Sequence, residues 1–145
     1  MFSNILVVCV GNICRSPMAA CLLRERLAGK GLAVQSAGLG ALVDQPMDPL
    51  AAEVLASHGF SDPSHRARQL ERRHLQEADL VLVAEKKMID AVLRIGPEAR
   101  GKVFALGKWQ SDRDIPDPYR QSRAIFEHTY ALVDEAVNAW IRQLG

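Results

Sequence analysis

Four short apolar runs, each followed by a stretch of helical character, limit what this chain can fold into more than any other feature of it. Ile5 to Val10 is rich in β-branched residues and stops at Gly11. Leu32 to Ser36 closes on Ala37 and Gly38, Leu80 to Ala84 is apolar throughout, and Val103 to Leu106 makes a fourth run. Each has strand length and strand composition, and the third suits a strand buried on both faces. Helical patterns fill the intervals. One begins at Pro17 with Leu22, Leu23 and Leu27 on one side. A second begins at Asp48-Pro49, a capping residue before proline at the first helical position, and runs to Gly59 with Leu50, Val54 and Leu55 inward. Others span Glu71 to Glu77, Lys86 to Ile95 and Ser122 to Leu144. Strands joined through helices require crossover connections, so an α/β fold is expected: a four-stranded parallel sheet with helices on both faces.

Composition sets further bounds. With 145 residues, 48% of them apolar, the chain fits one domain spanning 1–145 that buries its own core. Basic and acidic residues number 18 and 17 and are scattered, which argues against a nucleic-acid binder. No apolar stretch approaches the roughly 18 residues of a membrane span. The opening residues lack a basic leader and a cleavage site, so a cytoplasmic location is expected. The three cysteines, Cys9, Cys14 and Cys21, are an odd number and sit close together, which favours reduced thiols over a disulfide framework. His58, His65, His74 and His128 show no metal-ligand spacing, so no metal and no cofactor is expected.

In parallel α/β sheets the ligand crevice lies at the carboxyl ends of the strands. Cys9-Val10-Gly11-Asn12-Ile13-Cys14-Arg15-Ser16-Pro17 occupies such a place, between the first strand and the first helix. Successive backbone N–H groups and a helix N-terminus make a cradle for an oxyanion there. The same donors, with a nearby guanidinium, favour a thiolate, so Cys9 is expected to be an ionised nucleophile at neutral pH. Arg15 is placed to clamp two phosphate oxygens bidentately. Ser16 is read as the helix cap, its hydroxyl turned toward the cysteine sulfur. With 13 arginines in 145 residues, a bare Cys-x5-Arg spacing proves little. The weight comes from its context: Gly11 and Asn12 where the loop must turn, Ser16-Pro17 to open a helix, and the preceding apolar strand.

Transfer of a phosphoryl group to sulfur leaves a departing oxygen that needs a proton. Asp112, Asp114 and Asp117 all lie in the proline-rich loop after the fourth strand, but only Asp117 is held between two prolines, Pro116 and Pro118. Asp-Pro alone is an ordinary turn. In the same crevice as the cysteine loop, it marks Asp117 as the general acid.

Cys9-x5-Arg15-Ser16, Ser36-Ala-Gly38, Ser64-His-Arg-Ala-Arg-Gln69 and Asp117-Pro-Tyr119 stand in an order that resembles the low-molecular-weight protein tyrosine phosphatases over essentially the whole chain. The opening Asn4-Ile-Leu-Val-Val and Ser36 to Leu42 are similar to the bacterial branch serving capsule and exopolysaccharide production. The resemblance implies a flavodoxin-like three-layer sandwich and hydrolysis of phosphotyrosine through a phosphocysteine without metal or cofactor. It also implies a membrane tyrosine kinase of polysaccharide export as substrate, and the enzyme is expected to act as a monomer. It assigns Val10 to Ser16 to phosphate binding, and Asn12, Ser36 and His65, with Ser16, to the support of the loop. Ile13, Leu42 and Tyr119 are assigned to the slot for the substrate ring. By residue type alone, Ser36 is merely a strand end and His65 a surface loop residue.

Two positions depart from the family pattern. Arg120 stands where a second aromatic is common, which implies a bias toward acidic residues beside the phosphotyrosine, and Val83-Ala84-Glu85 replaces a sulfur- and acid-containing strand end. Cys14, five residues from Cys9, is a candidate for a disulfide that shields the nucleophile, or else a small buried residue. Three other readings remain. Arsenate reduction on this fold needs relay cysteines, and none follows Cys21. Arginine phosphatases carry threonine where Ile13 stands. A silent phosphotyrosine-binding module would have lost the nucleophile or the acid.

Overall fold

The computed structural model describes residues 2–144; the outermost ends of the expected 1–145 domain lie outside the described residues. β1 (Asn4–Cys9), α1 (Arg15–Arg26), β2 (Ala33–Gly38), α2 (Pro49–Ser57), α3 (Arg72–Glu77), β3 (Leu80–Val83), α4 (Met88–Ile95), β4 (Val103–Ala105) and α5 (Arg123–Leu144) follow in that order. Among the described residues the four strands form one parallel sheet in the order β2-β1-β3-β4. This is the flavodoxin-like α/β sandwich expected, and strand order reverses at β1, which places the crevice at the carboxyl ends of β1 and β3.

Alternation along the strands divides the core. Ile5, Val7, Val34, Leu80 and Leu82 face one side and pack with Met18, Leu22, Val54, Leu55, Phe126, Val133 and Val137 of α1, α2 and α5. Leu6, Val8, Val81 and Val83 face the other, against Leu75 of α3 and Met88 and Val92 of α4. All four residues of β3 are buried, as its uniform composition required.

Boundaries differ from the periodicity reading at several ends. β2 begins at Ala33 and continues to Gly38, because Val8 and Cys9 of β1 pair with Ala37 and Gly38. Lys86 and Lys87 form a turn before α4 rather than its first residues. In α2 the buried face is Ala51, Val54 and Leu55, and Leu50 is only half-buried. The Asp48 cap is made as expected, its carboxylate accepting from Leu50 N at 2.9 Å.

Candidate active site

Between β1 and α1 the chain turns so that its carbonyls point outward. Cys9 O accepts from Leu39 N, Val10 O from Gly40 N and Gly11 O from Leu42 N; Ile13 O accepts from Asp48 N and Cys14 O from Met18 N, all at 2.9–3.1 Å. Asn12 O lies 2.7 Å from His65 Nε2. The N–H groups of residues 11–15 have no protein acceptor among the described residues, which leaves them available to a bound oxyanion. Six anchored carbonyls with the amides left available are an oxyanion nest at a helix N-terminus.

Asn12 takes the left-handed conformation, at φ 58°, a strain of about 1 kcal/mol or more for a residue with a Cβ. Its side chain opposes that strain by donating to Ser16 Oγ at 2.8 Å and Ser36 Oγ at 3.0 Å while its Oδ1 accepts from Arg68 N at 2.9 Å. The glycine requirement falls on Gly38, not Gly11. A Cβ on Gly38 would sit 2.3 Å from Val10 O, whereas one on Gly11 meets nothing nearer than 3.7 Å.

Cys9 lies at the floor, 2% exposed, with Ser16 Oγ 2.9 Å and Ser16 N 3.4 Å from its sulfur. Ser16 is not the helix cap. Cys14 holds that position and makes no side-chain cap bond, while Ser16 lies in the first turn with its oxygen already accepting from Asn12 and its hydrogen free to point at sulfur. Burial first, then the carboxylate of Asp48, pushes the Cys14 thiol up.

Arg15 is 1% exposed. Its Nη1 donates to Glu85 Oε1 at 2.6 Å and to Ile115 O at 2.8 Å, and its Nη2 lies 3.8 Å from Asp117 Oδ2. Glu85, beyond the end of β3, thus orients the guanidinium; among the sequence signals it stood out only as a departure from a family pattern. Ile115 N donates to Ala84 O, which pins the Asp-Pro loop to the same strand end. A Cβ on Gly107 would lie 2.1 Å from Arg113 O, so a glycine is needed where that loop folds back. Asp117 Oδ1 accepts from Tyr119 N at 3.0 Å. Asp114 is used differently, accepting from Lys86 N.

Cys9, Val10, Gly11, Ile13, Cys14 and Arg15 form the base of one slot of about 140 Å³ whose upper wall is Gly40, Leu42, Asp117 and Tyr119. Leu42 and Tyr119 stand exposed at its mouth, and the Arg120 guanidinium lies 5.2 Å over the Tyr119 ring. Asn12, Ser16, Ser36 and His65 do not line the slot and stand behind the loop. His65 is buried, not a surface residue, because the segment before Gln69 folds onto the end of β2 through the Gly38–Gln69 bridge.

A flavodoxin-like sheet that turns an oxyanion nest, a cysteine and a buried arginine into one narrow slot defines a small phosphatase. The model of the family described as low molecular weight phosphotyrosine protein phosphatase matches residues 4–145. The low molecular weight protein-tyrosine-phosphatase Wzb of Salmonella typhimurium is 50% identical over 145 residues, covering 100% of this chain and 96% of that one. The structure of Vibrio vulnificus Wzb in complex with benzylphosphonate superposes with a TM-score of 0.95 at 43% identity, covering 99% of both chains. The YwlE arginine phosphatase from Geobacillus stearothermophilus follows at 0.92 and 32%, covering 98% of this chain and 92% of that one. The chain belongs to the low-molecular-weight protein tyrosine phosphatase family, and its activity is that of a protein-tyrosine phosphatase.

Proposed function

We propose that the chain hydrolyses phosphotyrosine in proteins through a phosphocysteine formed on Cys9. The observation that carries this reading is the nest of available amides around the sulfur, which offers a dianionic phosphoryl group several fixed donors at once. Cys9 attacks phosphorus in line, and the phosphorus–oxygen bond to the tyrosine breaks. Asp117 gives its proton to the leaving phenolate and then, as a base, takes one from the water that hydrolyses the phosphocysteine. The free edge of Arg15, beyond the Nη1 bonds to Glu85 and Ile115, pairs with the equatorial oxygens. Ser16 donates to the departing thiolate. The loop Val10 to Ser16 holds the phosphate through its backbone amides, and the side chains of Asn12, Ser36 and His65 hold the loop.

The sulfur lies at the bottom of a slot walled by Ile13, Leu42 and Tyr119, which favours an aryl phosphate long enough to reach it and excludes shorter alkyl phosphates. The likeness to YwlE supports a second reading, phosphoarginine hydrolysis, but the apolar Ile13 in the slot wall favours the tyrosine ring. The kinship with Wzb supports a tyrosine kinase of polysaccharide export as the substrate. The enzyme is a single-domain, cytoplasmic monomer in this reading; among the described residues no helix is long and apolar enough to cross a membrane.

The test is phosphate release from a phosphotyrosine peptide in the presence of a chelator. Cys9→Ser abolishes it, and Asp117→Asn lowers kcat by about 10²–10⁴-fold. Unchanged turnover by Cys9→Ser, or faster release from a phosphoarginine peptide, overturns the proposal.

A further inference from the structure

A second cleft, of about 450 Å³, shares no lining residue with the slot. Its walls carry Arg24, Arg66 and Arg68 against a single carboxylate, Asp62. Asp62 offsets Arg24, at 3.0 Å. Arg66 reaches only the carbonyls of Pro63 and His65, and Arg68 only Ser36 O and Gln35 Oε1. Neither has a carboxylate within 4.0 Å among the described residues, so two guanidinium groups line the cleft without a direct ion pair. Their guanidinium groups keep N–H donors in hand, in the planar arrangement that suits tetrahedral oxyanions.

The wall is also joined to the phosphate loop at one residue. Ser36 Oγ accepts from Asn12 Nδ2, His65 Nε2 meets Asn12 O, and Arg68 N donates to Asn12 Oδ1. A ligand that draws Arg68 or His65 toward itself therefore acts on the strained turn of the loop. The volume falls in the range of small-molecule sites and has room for more than a bare phosphate.

We propose that this cleft is a second oxyanion site, taking the phosphoryl group of a small phosphorylated molecule and coupled to the phosphate loop through Asn12. Coupling is reciprocal, so an occupied cleft changes the affinity of the slot by the same factor as an occupied slot changes that of the cleft.

The experiment uses ¹⁵N-labelled protein with the slot saturated by benzylphosphonate, titrated with inorganic phosphate and separately with ribose 5-phosphate. Saturable shifts are expected at the amides of Ser36, Ser64, His65 and Arg68, with affinity falling about tenfold in Arg66→Ala, the loss of one charged hydrogen-bond partner. Basal turnover of Arg66→Ala stays unchanged. Tighter binding of ribose 5-phosphate supports an organic phosphate as ligand, and equal binding supports free phosphate as the source of the same group. No saturation by either probe at tens of millimolar, or affinity unaltered in both Arg66→Ala and Arg24→Ala, overturns the site. A benzylphosphonate affinity that is identical with the cleft full and empty overturns the coupling.

Discussion

His65 Nε2 lies 2.7 Å from the carbonyl oxygen of Asn12, and because a carbonyl only accepts, that nitrogen holds the proton of the neutral ring. Burial pushes this imidazole below its ordinary value, with the Asn12 bond opposing. His74 shifts in the same direction, through burial and then the charges of Arg68 and Arg73. Depressed values mean that the unfolded chain takes up protons first as pH falls, so stability rises with pH across this window. The contribution is complete above the unfolded value of about 6.5 and is lost as pH drops through the folded ones. The urea midpoint is expected to fall between about pH 7.5 and about pH 5.5, with a smaller fall in His65→Gln. A midpoint that rises on acidification contradicts this.

Gly38→Ala places a carbon 2.3 Å from Val10 O, whereas an added carbon at Gly40 meets nothing nearer than Val10 Cγ1 at 3.8 Å. Overpacking against backbone costs about 1–3 kcal/mol. Gly38→Ala is expected to lower the thermal midpoint and to cut turnover at least tenfold, the latter because a displaced loop misaligns its donors. Gly40→Ala keeps the wild-type midpoint. Equal melting of the two variants would show that the approach of β2 to the loop is not tight.

Glu85→Ala leaves the guanidinium of Arg15 buried beside only a carbonyl and a carboxylate 3.8 Å away. Loss of one partner of a buried pair costs about 3–5 kcal/mol, and the partial exposure of Glu85 reduces this to about 2–3. Phosphate in the nest supplies the missing negative charge. Its addition should therefore raise the melting temperature of Glu85→Ala more than that of the wild type, and an equal rise would remove Glu85 as the counter-charge.

Cys14 borders the slot beside Cys9, with its thiol pushed up by burial and then by Asp48. If it shields Cys9, peroxide oxidises the Cys9 sulfur to a sulfenic acid, and the Cys14 thiol then condenses with it, releasing water. Added dithiothreitol should restore peroxide-treated wild type and recover Cys14→Ser poorly. Equal recovery eliminates the role.

Much of this was legible because it is written locally. Strand runs, the Asp48-Pro49 start and the Cys9 to Ser16 loop depend on neighbours within a few residues, and the all-apolar β3 declared its own burial. Gly11 lies in the turn of the phosphate loop, yet at that loop the position that needs glycine is Gly38, whose constraint comes from the Val10 carbonyl in another segment. Ser36 and His65 were assigned only through family resemblance, since nothing near them in sequence signals that a strand end and a distant loop meet on Asn12. Glu85 carries no local sign of its partner, because an ion pair spanning 70 residues has no local pattern.

The six outward carbonyls are held by Leu39, Gly40, Leu42, Asp48, His65 and Met18, residues drawn from separate segments of the first half of the chain. Within the loop only Asn12, Ser16 and Cys9 bond to one another, so most of its carbonyls depend on groups outside it. Catalytic competence should consequently be the most sensitive gauge of native structure in this molecule: partial loosening of any one of those segments at mild urea or warmth disarms the nest while the sheet and helices still give a full circular dichroism signal. A chain caught midway through unfolding is thus an inert protein, not an indiscriminate phosphatase.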